Sequence, residues 1–189
     1  MPFLNKLLKI LGIRKGEANI LVVGLDNSGK TTILNCFKSR DEKTEEVVPT
    51  VGFNVERFKT SNVNFTAFDM SGQGRYRNLW EHYYKNVQGI IFVIDSSDSL
   101  RLVVAKEELD LMLKHSEIEG KPNIPILLYA NKMDLREAMS SVKISQGLGL
   151  TVMKNRPWHI QASNALSGEG LQEGIQWLTE QLTQQKQLN

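Results

Sequence analysis

The sequence predicts an α/β fold: a doubly wound, mostly parallel six-stranded sheet with one antiparallel edge hairpin, preceded by an amphipathic helix. Three observations predict it. Apolar strand-like runs alternate with helix-compatible runs from residue 20 to residue 185. Two β-like runs, 54–59 and 63–69, are separated only by Thr60, Ser61 and Asn62, which is the spacing of a hairpin. No internal repeat and no Pro/Gly/Ser linker interrupts the 189 residues, 41% of them hydrophobic, so one domain with a full core is expected.

The first element is the helix. Residues 3–13, FLNKLLKILGI, place Phe3, Leu4, Leu7, Leu8 and Leu11 on one helical face and Asn5, Lys6 and Lys9 opposite. Such a helix either packs permanently on the domain or lies in a membrane interface with its lysines near anionic lipid, and the pattern alone leaves both open. The expected division is a helix over 1–16 and a folded domain over 17–189, with Gly16 and Glu17 as a short break. Residues 20–23 then read as the first strand and 32–38 as the next helix. The charged segment 39–46 has little to bury and reads as a mobile loop, ending at Val47-Val48-Pro49-Thr50-Val51-Gly52-Phe53. After the hairpin, 89–95 (GIIFVID) and 125–130 (PILLYA) are continuous apolar runs suited to parallel strands buried on both faces. Helices are expected over 100–115, 140–148 and 171–185, and a last strand over 158–162.

Three motifs sit at strand ends. Residues 24–31, GLDNSGKT, match the phosphate-binding pattern G-x-x-x-x-G-K-[ST] between a strand and a helix, the setting that pattern needs. Gly24 and Gly29 let consecutive N–H groups and a helix N-terminus converge on one anion. Lys30 then reaches the β- and γ-phosphates, and the Thr31 hydroxyl can ligate Mg²⁺. A glycine turn before a surface lysine would be spelled alike, and the flanking strand and helix argue against it. The loop is read as binding a nucleoside triphosphate.

The run 63–69 ends in Asp69-Met70-Ser71-Gly72-Gln73. An aspartate at a strand's C-terminal end, with a glycine three residues on, is where a nucleotide-binding sheet places a metal-side carboxylate and an N–H aimed at the γ-phosphate. Alone, that signal is weak. The run 125–130 leads into Asn131-Lys132-Met133-Asp134. A carboxylate only accepts, so Asp134 can take both guanine N1–H and the exocyclic amino group, neither of which adenine offers. Adenine would leave a buried carboxylate unpaired. Asn131 would tie this turn to the phosphate loop, and the stem of Lys132 would cover one face of the base. By itself the motif is equally an exposed turn; in order with the other two it points to guanine.

Bulk properties remove other classes. A net charge of +2, with 23 basic and 21 acidic residues spread along the chain, gives no field suited to general nucleic-acid binding. The single cysteine, Cys36, is read as a small buried thiol in a reducing, cytoplasmic setting. His82, His115 and His159 lack partners at zinc-ligand spacing and are read as structural or surface residues. No stretch approaches 18 apolar residues, and the first residues lack a secretory cleavage pattern.

With GLDNSGKTT, PTVGF around Thr50, SGQGRYRNLWEHYY and the N-terminal helix together, the sequence resembles the Ras-like small GTPases over nearly its whole length, and within them the ADP-ribosylation-factor-like branch. The resemblance implies a G domain of the P-loop NTPase class that binds GTP and GDP with Mg²⁺. It assigns Gly24, Asp26, Asn27, Ser28, Gly29, Lys30, Thr31 and Thr32 to the nucleotide, with Asn131, Lys132, Asp134, Asn164 and the Ala165 N–H around the base. Thr50 corresponds to the first-switch threonine that closes on Mg²⁺ and the γ-phosphate, beside Thr31, while Asp69 holds the metal through water. Gly72 contacts the γ-phosphate and Gln73 orients the attacking water, so Gln73, Lys30 and Thr50 are the expected catalytic residues. The hairpin is expected to slide when GTP binds and expel the N-terminal helix toward membrane, with Phe53, Phe68 and Tyr83 as its aromatic triad and an effector surface around Trp80.

The implied partners are an exchange factor, an activating protein and a coat complex of the BBSome kind that sorts ciliary membrane proteins. The protein is expected to be a monomer, peripheral on membranes near the cilium and basal body. Three positions depart from the pattern. Pro2 stands where N-myristoylation needs glycine, Phe68 where many relatives carry tryptophan, and Ser71 where many carry glycine. Two rival readings are a GTP-holding adaptor that scarcely hydrolyses and a P-loop kinase or ATPase, which would prefer ATP.

Overall fold

The computed structural model describes residues 16–188, so the expected N-terminal helix, with Phe3, Leu4, Leu7, Leu8 and Leu11, lies outside the described residues. Six strands form one sheet: β1 (Gly16–Val23), β2 (Phe53–Lys59), β3 (Val63–Met70), β4 (Gly89–Asp95), β5 (Ile126–Asn131) and β6 (Trp158–Ala162). Their order is β2-β3-β1-β4-β5-β6, antiparallel only between β2 and β3. Among the described residues five α-helices accompany them: α1 (Lys30–Phe37), α2 (Leu102–Lys114), α3 (Ser116–Glu119), α4 (Ser141–Gly147) and α5 (Leu171–Leu188). Among the described residues no helix is long and apolar enough to cross a membrane.

Side-chain alternation along β1 divides the core in two. Leu21 and Val23 join Phe92, Leu109, Met112 and Trp80 on one face of the sheet. Ile20 and Val22 join Ile33, Leu34, Val93, Tyr129 and Leu178 on the other, under α1 and α5. The central strands β4 and β5 are apolar up to their last residues, Asp95 and Asn131, because both faces are covered. The connection leaving β1 runs to the β2–β3 side of the sheet, and the one leaving β3 crosses back past β1 to β4 on the other side. The crevice beyond the C-terminal end of β1 is therefore the topological switch point, where such sheets bind ligands.

Three expectations need correction. Gly16 and Glu17 are not a break; they begin β1, paired with Val63 and Asn64. Their poor strand propensity is overridden by the neighbouring strand, with the Gly16 N–H donating to Asn62 O at 2.9 Å. The 39–46 segment is exposed but tethered: Asn35 Nδ2 donates to Thr44 O at 2.8 Å, and the Thr44 N–H returns to Asn35 Oδ1 at 2.9 Å. Cys36 is half-buried rather than buried, and its thiol faces Ala165 O at 3.1 Å. The stretch Gly74–Asn86, assigned no element from sequence, forms a 3₁₀-helical run that buries Trp80 and Tyr84.

Candidate nucleotide site

The phosphate loop follows β1 directly. At Gly29 φ is 96°, and a Cβ there would stand 2.4 Å from Asn131 Nδ2, so neither the backbone nor the neighbour allows a side chain. Asn27, at φ 61°, adds a second left-handed residue to the turn. Lys30 opens α1 but folds back, its ammonium donating to Gly24 O at 3.0 Å and Leu25 O at 2.8 Å. Burial lowers its pKa to about 8, against the opposing pull of Asp69 and Asp26. A buried ammonium that borrows its own loop's carbonyls is well placed to exchange them for phosphate oxygens.

Beside it, β3 sets Asp69 in register with Val22 of β1, one step before the loop. The Thr31 hydroxyl donates to Asp69 Oδ2 at 2.6 Å and lies 2.9 Å from the Thr50 hydroxyl, which is 3.3 Å from the same Oδ2. Asp69 is fully buried, and burial raises its pKa, although Thr31 and Lys30 oppose the rise. Its other oxygen, Oδ1, is buried without a hydrogen-bond partner among the described residues. Two hydroxyls and an orphaned carboxylate oxygen are a hard donor set of the kind Mg²⁺ selects. The cleft over them is lined by Asp26, Asn27, Thr32, Gly72 and Gln73 as well.

The base side is tied to the phosphate side through one residue. Asn131, 1% exposed, donates from Nδ2 to Ser28 O at 2.9 Å, and its Oδ1 accepts from the Ala165 N–H at 3.0 Å and Ser163 Oγ at 3.3 Å. Two separate loops, the phosphate loop and the one carrying Ser163 and Ala165, are thus held to the end of β5 by one amide. Lys132, at φ 64°, is anchored by its ammonium 2.7 Å from Asp95 Oδ2. A second pocket, lined by Lys132, Asp134, Asn164 and Ala165 and sharing Asn27, Gly29 and Thr32 with the first, continues the cleft. Asn164 shapes its far wall by accepting the Leu166 N–H at 2.9 Å. Asp134 is exposed and makes no hydrogen bond or ion pair among the described residues, so its carboxylate is open toward the pocket. Only a base lying over it would bury it.

The sequence model of the ADP-ribosylation factor family matches residues 4–182. The chain belongs to the ADP-ribosylation factor family. It is a small GTPase of that family and is 59% identical to the ADP-ribosylation factor-like protein 6 of Danio rerio over 98% of this chain and 100% of the relative. The protein of that name from Caenorhabditis elegans is 45% identical over 97% and 96% of the two chains. The solved structure of the Arl6 small GTPase of Trypanosoma brucei with the nucleotide analogue GppNp bound has TM-score 0.83 and 44% identity, covering 89% of this chain and 99% of that one.

In this member of the ADP-ribosylation factor family the expected aromatic triad does meet. Tyr83 lies 5.0 Å, centroid to centroid, from both Phe53 and Phe68. Trp80 does not present the surface expected of it: it is 1% exposed, and its indole N–H donates to Ser71 O at 3.1 Å. Exposed apolar residues gather instead at Val48, Val51, Phe53 and Val55, which precede and begin β2. Gln73 keeps its carbonyl oxygen on Arg75 Nε at 3.2 Å. Sequence reasoning missed the charges around Asp26. Arg101 Nη1 lies 3.0 Å and Arg77 Nη2 3.8 Å from its carboxylate, and Arg77 also pairs with Glu108 at 2.8 Å. It also missed Asp95, whose signal was available: an acidic residue ending the otherwise apolar strand β4.

Proposed function

We propose that the protein is a GTP-gated switch that associates with membrane in its GTP state, recruits a coat complex of the BBSome kind, and resets by slow hydrolysis. The observation that carries the reading is the meeting of Thr50 with Thr31 and Asp69 at the phosphate loop, because it joins a segment next to the exposed apolar surface to the place where the γ-phosphate would lie. A γ-phosphate there can hold or release that surface.

Thr31 and Thr50 would hold Mg²⁺ directly and Asp69 through water, and the ion would neutralise charge on the β- and γ-phosphates. Lys30 would give up Gly24 O and Leu25 O for phosphate oxygens. Asp134 would select guanine, with Asn131 fixing the base pocket relative to the phosphate loop. Gln73 would leave Arg75 to orient the attacking water. Arg77 and Arg101, the arginines at Asp26, are both engaged by carboxylates, which fits slow unaided hydrolysis and a reset that depends on an activating protein. The coat reading rests on likeness to the ADP-ribosylation factor-like protein 6 relatives, and the membrane reading on the amphipathic sequence pattern of residues 3–13, ahead of a proposed domain boundary between 16 and 17.

Co-sedimentation with liposomes containing anionic lipid tests this. The full chain loaded with GppNp is expected to pellet several-fold more than the GDP form, and deletion of residues 1–15 is expected to abolish the difference. Equal association in both nucleotide states, or none in either, would remove the membrane step.

A further inference from the structure

Gly72 lies against the phosphate loop so closely that a Cβ on it would stand 2.3 Å from Asp26 N. Its two flanking peptide units are both held. The carbonyl of the first, Ser71 O, accepts from Trp80 Nε1 at 3.1 Å. The carbonyl of the second, Gly72 O, accepts from Arg77 Nε at 2.9 Å, and the N–H at its other end, from Gln73, donates to Ser71 Oγ at 3.4 Å. What remains is the Gly72 N–H, which donates to no group among the described residues.

A trans peptide is planar, with its C=O and N–H pointing in opposite directions. Trp80, by fixing Ser71 O, therefore fixes the direction of the Gly72 N–H. The indole can do this because it is buried and cannot turn away, and Arg77 because Glu108 holds its guanidinium at 2.8 Å. Restraint is needed here, since a glycine between two other loop residues has more backbone freedom than any other residue.

We infer that Trp80 and Arg77 are positioning residues that aim the Gly72 N–H at the terminal phosphate and so set the preference for a nucleoside triphosphate over a diphosphate. The inference rests on the GTP-switch reading and deepens it. An N–H that is already aimed loses little entropy when the γ-phosphate arrives, whereas a free one must be ordered first.

The test is the ratio of affinities for GppNp and GDP, measured with Mg²⁺ on the full chain. Trp80→Phe removes the N–H and keeps most of the ring; Arg77→Met removes the guanidinium and keeps the stem. Each is expected to lower the GppNp-to-GDP ratio about three- to tenfold, the size of one oriented hydrogen bond, and Arg77→Lys to recover part of the loss. Equal weakening of both nucleotides would mean that these residues only support the fold, and an unchanged ratio would mean that Gly72 needs no brace; either overturns the inference. Wild-type protein that binds neither nucleotide would overturn the switch reading itself, and the inference with it.

Discussion

Asp134→Asn is expected to move base preference from guanine to xanthine nucleotides and to cost guanine about 10²- to 10⁴-fold in affinity. Asp134 ends the turn after β5 with a carboxylate that has no partner among the described residues, so its hydrogen-bonding capacity is reserved for a ligand. Guanine would supply two donors to it, N1–H and the exocyclic amino group, and hydrogen bonds to an ionised group contribute about 1.5–3 kcal/mol each. An asparagine in its place offers one acceptor and one donor. That donor opposes the guanine amino group but pairs with the C2 oxygen of xanthine. Titration with GDP and with xanthosine diphosphate checks the exchange. Because Asn131 carries the contacts to Ser28, Ala165 and Ser163, the substitution leaves the pocket's frame standing. Loss of both nucleotides together would show that Asp134 is not at the base.

Gly72→Ala is expected to separate the two nucleotides in a different way. Its Cβ would stand 2.3 Å from both Asp26 N and Leu25 C, and 2.5 Å from Gly24 O. All three are backbone atoms of the phosphate loop and its entry, which cannot turn aside as a side chain can. Overpacking of this kind costs about 1–3 kcal/mol. It is relieved if the segment after β3 backs away from the loop, the position in which a γ-phosphate contact fails. GppNp affinity should fall about 10- to 100-fold. GDP, with nothing to reach Gly72, should lose less than about threefold. Parallel titrations of the two nucleotides decide it. A common loss would mean that the methyl group damages the loop itself.

The strands and the three loop motifs were legible in the sequence wherever a single chemical demand dominated. Strands β4 and β6 fall on their expected bounds, 89–95 and 158–162: β4 is an apolar run between Gln88 and Ser96, and β6 an alternating run that opens after Pro157. The phosphate loop was legible because its glycines answer a backbone demand that no other residue meets. Apart from the tie of Asn131 to the phosphate loop, long-range partnerships were not. Asp26 meets Arg101 across 75 residues of sequence, and nothing in either local pattern announces the other. Thr31 and Asp69 were readable as metal-side groups from their motifs, but Thr50 joined them only through resemblance to a family, since no spacing rule ties its loop to the other two. Trp80 was misread because an aromatic-rich run has the same spelling whether it faces a partner or the core. Here the 3₁₀ turn buries the indole, and its N–H finds a backbone carbonyl as a buried tryptophan requires.

In a GTP switch the terminal phosphate docks two segments on the phosphate loop, one around Thr50 and one, already braced by Trp80 and Arg77, around Gly72, while the base side of the site stays fixed. Amide hydrogen exchange on the GDP-bound and GppNp-bound protein, with Mg²⁺, tests it most directly. Stronger protection is expected in the GppNp form over residues 47–60 and 70–80, and equal protection in both forms over β5 and the loop that carries Asn164 and Ala165. Identical protection across 47–80 in the two forms would contradict it, leaving a protein that binds guanine nucleotides without being switched by them.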